Sequence, residues 1–502
     1  MIGSKLHLML QQLSKREFRR FVEFVHSPYF NKHDRLKDLT DYLYVHLPEN
    51  NLEALEKNAL FEHLFPNEGY NEQRLADLMS YLVKLLEQFL VQLNLERNAF
   101  QEELGLMEEL AQRDLHKPFQ RQARRLRNQQ KKEKNRDENY YLQEYLFWNA
   151  SDSYFMRQQK RTKDESLQQK VDALDLFYLS AKLKNACEMV NRSHVISETY
   201  HFWLTDEVLS YLRNNIDDYA EHPSIVVYFH ILSILTEPDE ESHFTKLKAV
   251  LAENMGKFRR EETRYMYLYM QNYIIYRINK GDQRYLPELF NLYKWLLETE
   301  IILEGNYLSQ WDYKNIVSAG YRMEAYHWTE QFIHNYRDKL RPEEQENAYN
   351  YNLAMLYYYK GEFKRALRLL QTVDFTDLYY ALGARSILMK SYYDLEDWDP
   401  LYSLFDSFSV YLKRNKQISG YQQEIHLNFI RITRKLAGLR IKQIANNNEI
   451  TVDQLEKVLH KMEQNRQIAH YTWLYKRLKR LANTSGLSLE SDRAQASAGG
   501  SH

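Results

Sequence analysis

Apolar residues recur along most of this chain three and four positions apart, the spacing of one face of an α-helix. The clearest stretch follows Asn71. Leu75, Leu78, Met79, Leu82, Leu86, Phe89, Leu90 and Leu93 form one broad apolar stripe, with Asn71 placed as its N-cap. Upstream, Ser14-Lys-Arg-Glu17 reads as a capping box: the serine accepts from an early backbone N–H and the glutamate reaches back to the serine N–H. Phe18, Phe21, Val22 and Val25 follow at helical spacing, and Pro28 stops that helix because its ring disfavours α geometry at Ser27. A second helix is predicted over residues 34–47, ending near Pro48. Residues 1–97 therefore read as an N-terminal helical unit.

The pattern changes at residues 98–140, a charged helical connector dominated by Gln, Glu, Arg and Lys and interrupted by Pro118. Arg121, Arg124, Arg125, Arg127, Lys131, Lys132, Lys134 and Arg136 make its densest basic run. Such a run is either a contact for nucleic acid or an acidic partner, or the solvated face of a long helix. No aromatic residue interleaves it between Arg121 and Arg136, which weakens base stacking as a role.

Over residues 141–300 the helical period resumes in less regular hairpins. Val171-Asp-Ala-Leu-Asp-Leu-Phe-Tyr-Leu, Ile225-Val-Val-Tyr-Phe-His-Ile-Leu and Tyr265-Met-Tyr-Leu-Tyr-Met-Gln-Asn-Tyr-Ile-Ile-Tyr carry it. The second is short and rich in β-branched residues, the composition of a strand; its helical neighbours decide for a helix. Gly281-Asp282 follows the third segment as Gly361-Glu362 follows a later run of tyrosines.

Residues 301–482 contain three stretches that can be laid over one another, beginning at Tyr313, Asn350 and Ser386. Each is a helical run, a short polar break, an aromatic residue and a second helical run. The matching positions Glu324, Gly361 and Glu396 recur about every 35 residues, a period typical of stacked helical hairpins, none of which can bury its own apolar face. Thr451-Val-Asp-Gln454 is another capping box, and an amphipathic helix over residues 470–481 is expected to cap the stack. Residues 483–502 are small and polar, and are expected to be a disordered tail.

Composition supports an all-α chain. Of 502 residues only 14 are Gly and 9 are Pro, so left-handed turns and helix breaks are scarce. Tyrosine occurs 40 times; its large ring and polar tip suit thin layers in which many residues are half buried. The 68 basic and 69 acidic residues nearly cancel, so bulk charge offers no argument for nucleic acid or an anionic membrane. Cys187, the one cysteine, cannot form an intramolecular disulfide and lies in a helical pattern as a small core residue. The N-terminus lacks a basic segment followed by an unbroken apolar run, and no window is apolar enough to span a membrane. The expected location is the cytoplasm.

Within the middle stretch, Asn352, Leu353, Ala354, Tyr357, Gly361, Phe363, Ala366 and Leu370 resemble the tetratricopeptide repeat pattern. The next unit keeps Leu388, Tyr392, Trp398 and Phe405 but has Glu396 and Leu401 where glycine and alanine are usual; the preceding one keeps Asn315, Tyr326 and Ile333 but has Glu324 and Thr329 there. The resemblance spans about 110 residues firmly and about 250 loosely. The whole chain also resembles a group of bacterial helical-repeat proteins without an assigned activity. The resemblance implies a right-handed α-solenoid of helical hairpins whose first helices line a concave groove. By matching positions it assigns Tyr351, Asn352, Met355, Tyr358, Tyr359, Asn315 and Lys390 to that groove. Tyr351, Met355 and Tyr358 share one helical face, while Leu353, Ala354 and Tyr357 face the hairpin interior. Some members of the family bind peptide C-terminal carboxylates; Tyr351 and Met355 replace two polar positions of that clamp, so an extended or helical partner segment held by aromatic contact is expected instead.

No Gly-rich phosphate loop, dinucleotide fingerprint, nucleophile elbow or His-Glu-x-x-His occurs, and His222, His230 and His243 lack ligand spacing. The expectation is a non-enzymatic protein-interaction scaffold with no cofactor, no metal and no membrane association. The alternative is a nucleic-acid-associated regulator using residues 1–97 or the basic run.

Overall fold

The computed structural model describes residues 2–49, 51–158, 163–196, 199–373, 378–445, 450–464, 467–485 and 487. Among them there are helices and turns and no β-strand. By its internal contacts the chain divides into two compact units: Met1–Glu133 with Asn139–Phe177, and Lys134–Glu138 with the residues from Tyr178 onward.

The first unit begins with α1 (Lys5–Gln11), α2 (Lys15–His26), α3 (Asp34–His46), α4 (Lys57–Leu64) and α5 (Glu72–Arg97). The Ser14 capping box forms at both ends: the Glu17 N–H donates to Ser14 Oγ at 3.3 Å and the Ser14 N–H donates to Glu17 Oε2 at 2.9 Å. Asn71 Oδ1 accepts from the Arg74 N–H at 3.0 Å, which starts α5. Phe21, Leu39, Leu60, Leu82 and Leu86 meet in one core, each burial contributing about 1.5–3 kcal/mol. Leu90 is the exception in the apolar stripe, 38 % exposed; Leu85 takes its place in the core, because the stripe is broader than the surface its neighbours cover.

The charged stretch is itself a packed hairpin, α6 (Ala99–Gln112) and α7 (His116–Lys132). Leu104, Met107, Phe119 and Leu126 form its core with Phe147 and Tyr154 of α8 (Glu138–Arg157). Pro118 does not interrupt it. It sits in the first turn of α7, where a missing N–H leaves no intrahelical bond unmade. Arg121, Arg124, Arg125, Arg127, Lys131 and Lys132 of the basic run lie on α7, and Lys134 and Arg136 follow it; Arg125 pairs with Glu103 at 2.6 Å, and Arg127 with both oxygens of Glu144 at 2.5 Å.

The chain continues through α9 (Ser166–Ile196) and α10 (Thr205–Asn215). In the second unit, five helical hairpins follow: α11 (Pro223–Thr236) with α12 (Glu241–Glu253), α13 (Arg260–Asn279) with α14 (Tyr285–Glu298), α15 (Gln310–Arg322) with α16 (Tyr326–Asn335), α17 (Pro342–Tyr359) with α18 (Phe363–Leu370), and α19 (Leu378–Asp394) with α20 (Trp398–Arg414). The strand-like stretch after Pro223 is helical and almost wholly buried, so burial on every side explains its unbroken apolar run. Cys187 is buried in α9, with Sγ 3.5 Å from the Tyr228 carbonyl. α15 packs on α17 and α17 on α19, while α14, α16 and α18 each also contact the first helix of the next pair. Then come α21 (Gly420–Ala445), α22 (Val452–Gln464) and α23 (Tyr471–Thr484), with α23 against both α21 and α22. Of the Thr451 capping box one arm forms, the Thr451 N–H donating to Gln454 Oε1 at 3.4 Å. α23 runs to Thr484, so helix extends past residue 483; residues 486 and 488–502 of the expected tail lie outside the described residues.

Candidate functional site

The site follows from how the first helix of each hairpin ends. After α13, α15, α17 and α19 the chain passes through a left-handed residue: Gly281 (φ 101°), Glu324 (φ 57°), Gly361 (φ 81°) and Glu396 (φ 56°). At Gly361 the N–H donates to the Tyr358 carbonyl and the next N–H, of Glu362, reaches back to Tyr357 at 2.8 Å. Glu324 and Ala325, and Glu396 and Asp397, make the same pair of bonds, which is the Schellman ending. It turns the chain back sharply.

Across the first helices runs a groove of about 680 Å³. α13 contributes Ile275 and Ile278, α14 contributes Tyr293, α15 contributes Asn315, Ser318, Tyr321 and Arg322, α17 contributes Tyr351, Met355 and Tyr359, and α19 contributes Gly383, Ile387 and Lys390. The far wall is the start of α23: His470, Thr472, Trp473 and Lys476. The expected cap thus has two faces. Leu474, Leu478 and Leu481 are buried in the core with α21 and α22, and the opposite side of the helix lines the groove.

Five of the seven residues assigned by matching positions line this groove: Asn315, Tyr351, Met355, Tyr359 and Lys390. Two do not. Asn352 is buried, its Nδ2 donating to the Ala348 carbonyl at 2.8 Å, so it serves its own helix. Tyr358 is also buried; its hydroxyl donates to Asp394 Oδ2 at 3.1 Å. A helix turns about 100° per residue, so Tyr358, seven residues beyond Tyr351, has drifted about 20° from it, toward α19. Leu353, Ala354 and Tyr357 are buried as the interior face requires, and the Arg365 guanidinium lies 3.8 Å from the Tyr357 ring centroid.

The walls are aromatic and basic. Tyr321 and Tyr359 stack with centroids 3.8 Å apart and planes 9° apart. Arg322 Nη2 donates to Gln283 Oε1 at 3.0 Å. Arg322, Lys390 and Lys476 line the groove, and among the described residues no Asp or Glu does. Tyr293 is fully buried at the groove with its hydroxyl making no hydrogen bond. Tyr351 is 2 % exposed, and burial raises its hydroxyl pKa far above the usual 10.

At the α23 end lies a cluster of buried polar groups. Lys390 is 3 % exposed, and burial pushes its amine down to about 7; Asp394 offsets part of this and Arg477 adds to it. Its Nζ lies 2.9 Å from His470 Nδ1. Asp394 Oδ2 accepts from Arg477 Nη2 at 2.6 Å as well as from Tyr358, while Asp394 Oδ1 and Ser391 Oγ find no partner in the protein. Burial also holds His426 at about 4, and its Nδ1 is unpartnered.

Part of what position matching left out was legible. Ser318, Met355 and Lys390 occupy equivalent positions 37 and 35 residues apart, and Arg322 stands 37 before Tyr359. The α23 wall carried no such signal. Among the described residues no group of His, Cys, Asp and Glu could hold a metal ion, and no helix is long and apolar enough to cross a membrane. No family model, no curated protein and no solved structure matches the chain.

Proposed function

We propose that this chain is a tetratricopeptide-like right-handed α-solenoid that binds an acidic segment of a partner protein. The groove across α13, α15, α17 and α19 carries this reading: it is lined by tyrosines and by Arg322, Lys390 and Lys476, with no carboxylate, in a chain whose net charge is only −1. A long aromatic groove suits a segment rather than a globular surface, and a carboxylate-free basic lining favours negative side chains. The left-handed endings recurring at Gly281, Glu324, Gly361 and Glu396 support the repeat assignment. The role is binding, not catalysis.

The test uses pools of Asp/Glu-rich and Lys/Arg-rich peptides on the immobilised full chain, with the tightest peptide titrated by fluorescence anisotropy. Tyr359 is 40 % exposed and Arg322 is exposed, so Tyr359→Ala with Arg322→Ala leaves the core untouched. We expect the acidic pool alone to bind, and the double variant to lose more than tenfold in affinity, about 1.4 kcal/mol, while its circular dichroism spectrum stays that of the folded chain. Full affinity in the double variant, or selection of the basic pool, would overturn the proposal.

A further inference from the structure

The groove ends at an amine that no segment-binding role requires. Lys390 is 97 % removed from solvent yet borders the groove, as does its hydrogen-bond partner His470. It makes no ion pair among the described residues; the nearby Asp394 carboxylate is engaged by Tyr358 and Arg477 instead. Three polar atoms around it are buried without a protein partner: Ser391 Oγ and Asp394 Oδ1 on the same helix, and His426 Nδ1 on α21. Buried polar groups almost always find partners; Trp473 Nε1 and the Tyr293 hydroxyl, both on groove-lining residues, are unpartnered as well, so the groove wall offers polar atoms to something other than the protein's own side chains.

We propose that Lys390 is a nucleophilic amine that captures a small anionic aldehyde as an imine, with His470 as its proton acceptor and donor. This goes beyond the segment-binding reading and does not depend on it. A lysine becomes a nucleophile when it is desolvated or set beside another cation, and Lys390 meets both conditions through its burial and Arg477. In the step, the Nζ lone pair forms a bond to the carbonyl carbon and the carbonyl π pair moves to oxygen. The nitrogen gives a proton to His470 Nδ1, 2.9 Å away. The imidazolium returns that proton to the former carbonyl oxygen, giving the carbinolamine; the second proton on the nitrogen then follows the same route to the hydroxyl, which leaves as water as the nitrogen electron pair forms the C=N bond. One amine and one aldehyde become one imine and one water, with no change of oxidation state. The carboxylate-free lining with Arg322 and Lys476 favours an anionic ligand.

The experiment treats the intact folded chain with glyoxylate and sodium cyanoborohydride, which reduces the imine to a stable secondary amine, and maps the modified lysines by mass spectrometry. Lys390 should be modified about tenfold faster than the median exposed lysine, and this preference should vanish in urea. Its rate should rise as pH increases through about 7. Neutral acetaldehyde should show a smaller preference for Lys390. His470→Gln should slow modification at Lys390 alone, with an unchanged circular dichroism spectrum. If Lys390 in the folded chain reacts no faster than exposed lysines, the amine is structural and the proposal fails. An equal preference for acetaldehyde would overturn the anionic ligand class, and an unchanged rate in His470→Gln would overturn the role of the imidazole.

Discussion

Gly383 shows how one missing side chain shapes the groove. Its φ is not left-handed, so the glycine is needed for space: a Cβ there would lie 2.3 Å from the Tyr351 hydroxyl oxygen. Tyr351 is buried, with its ring 4.8 Å from that of Tyr380, and cannot swing clear. Gly383→Ala should therefore destabilise the protein by about 1–3 kcal/mol. Adding Tyr351→Phe removes the clashing oxygen and should recover part of that loss, measured by urea unfolding of the two single variants and the double. Additive losses would mean that the hydroxyl is not the obstacle. Position matching marked Tyr351 as a groove residue; that its hydroxyl rests on an α19 backbone depends on a neighbour 32 residues away in the chain.

At the scale of the element, the hairpins depend on where their first helices stop. A left-handed residue at that point costs a side chain with a Cβ about 1–2 kcal/mol, and glycine very little. Glu324 and Glu396 bear that strain; Gly281 and Gly361 do not. Glu324 is exposed, so Glu324→Gly should raise stability by about 1 kcal/mol, and Gly361→Ala should lower it by about as much. Thermal and urea midpoints of both variants check this. A destabilised Glu324→Gly would show that the strain is absorbed by its neighbours. The recurrence of these positions was visible in the sequence because the turn constrains the backbone locally; the glutamates hid the constraint, since they fill a glycine position without changing the turn.

For the whole molecule, the buried titratable groups set how stability varies with pH. His230 and His426 are held at about 4 by burial, against an ordinary 6.5. Between those values the unfolded chain takes up protons that the folded chain refuses, so stability falls as pH drops. Asp312, pushed up to about 6 by burial, acts in the opposite sense between its ordinary 3.8 and 6. Lys390 extends the rise upward: from about 7 to its ordinary 10.5 the unfolded chain binds the extra proton, so stability climbs with pH over that window. Above 10 the buried tyrosines, including Tyr267 at about 12, stay protonated in the fold while the unfolded chain ionises, so stability falls. The urea midpoint should peak between about pH 8 and 10, and Lys390→Met should flatten the climb above pH 7. A midpoint that falls steadily from pH 7 to 9 in the unsubstituted chain would refute the assignment of a neutral buried amine.

What this sequence determined by itself is local. Caps at Ser14 and Asn71, the helical spacing of apolar residues and the scarcity of Gly and Pro decide that the chain is helical and where many helices begin and end, because these depend on residues within a turn or two of one another. The matched stretches brought Met355 and Lys390 to a common surface for the same reason: equivalent positions on successive hairpins share a face. Tertiary structure alone decided the rest. Tyr358 turned to Asp394 because an acceptor lies there, on a different helix. Lys390 became a buried amine because α23, about 80 residues further along, brings His470 beside it. No periodicity within either segment records that meeting; it exists only where α19 and α23 border the same groove.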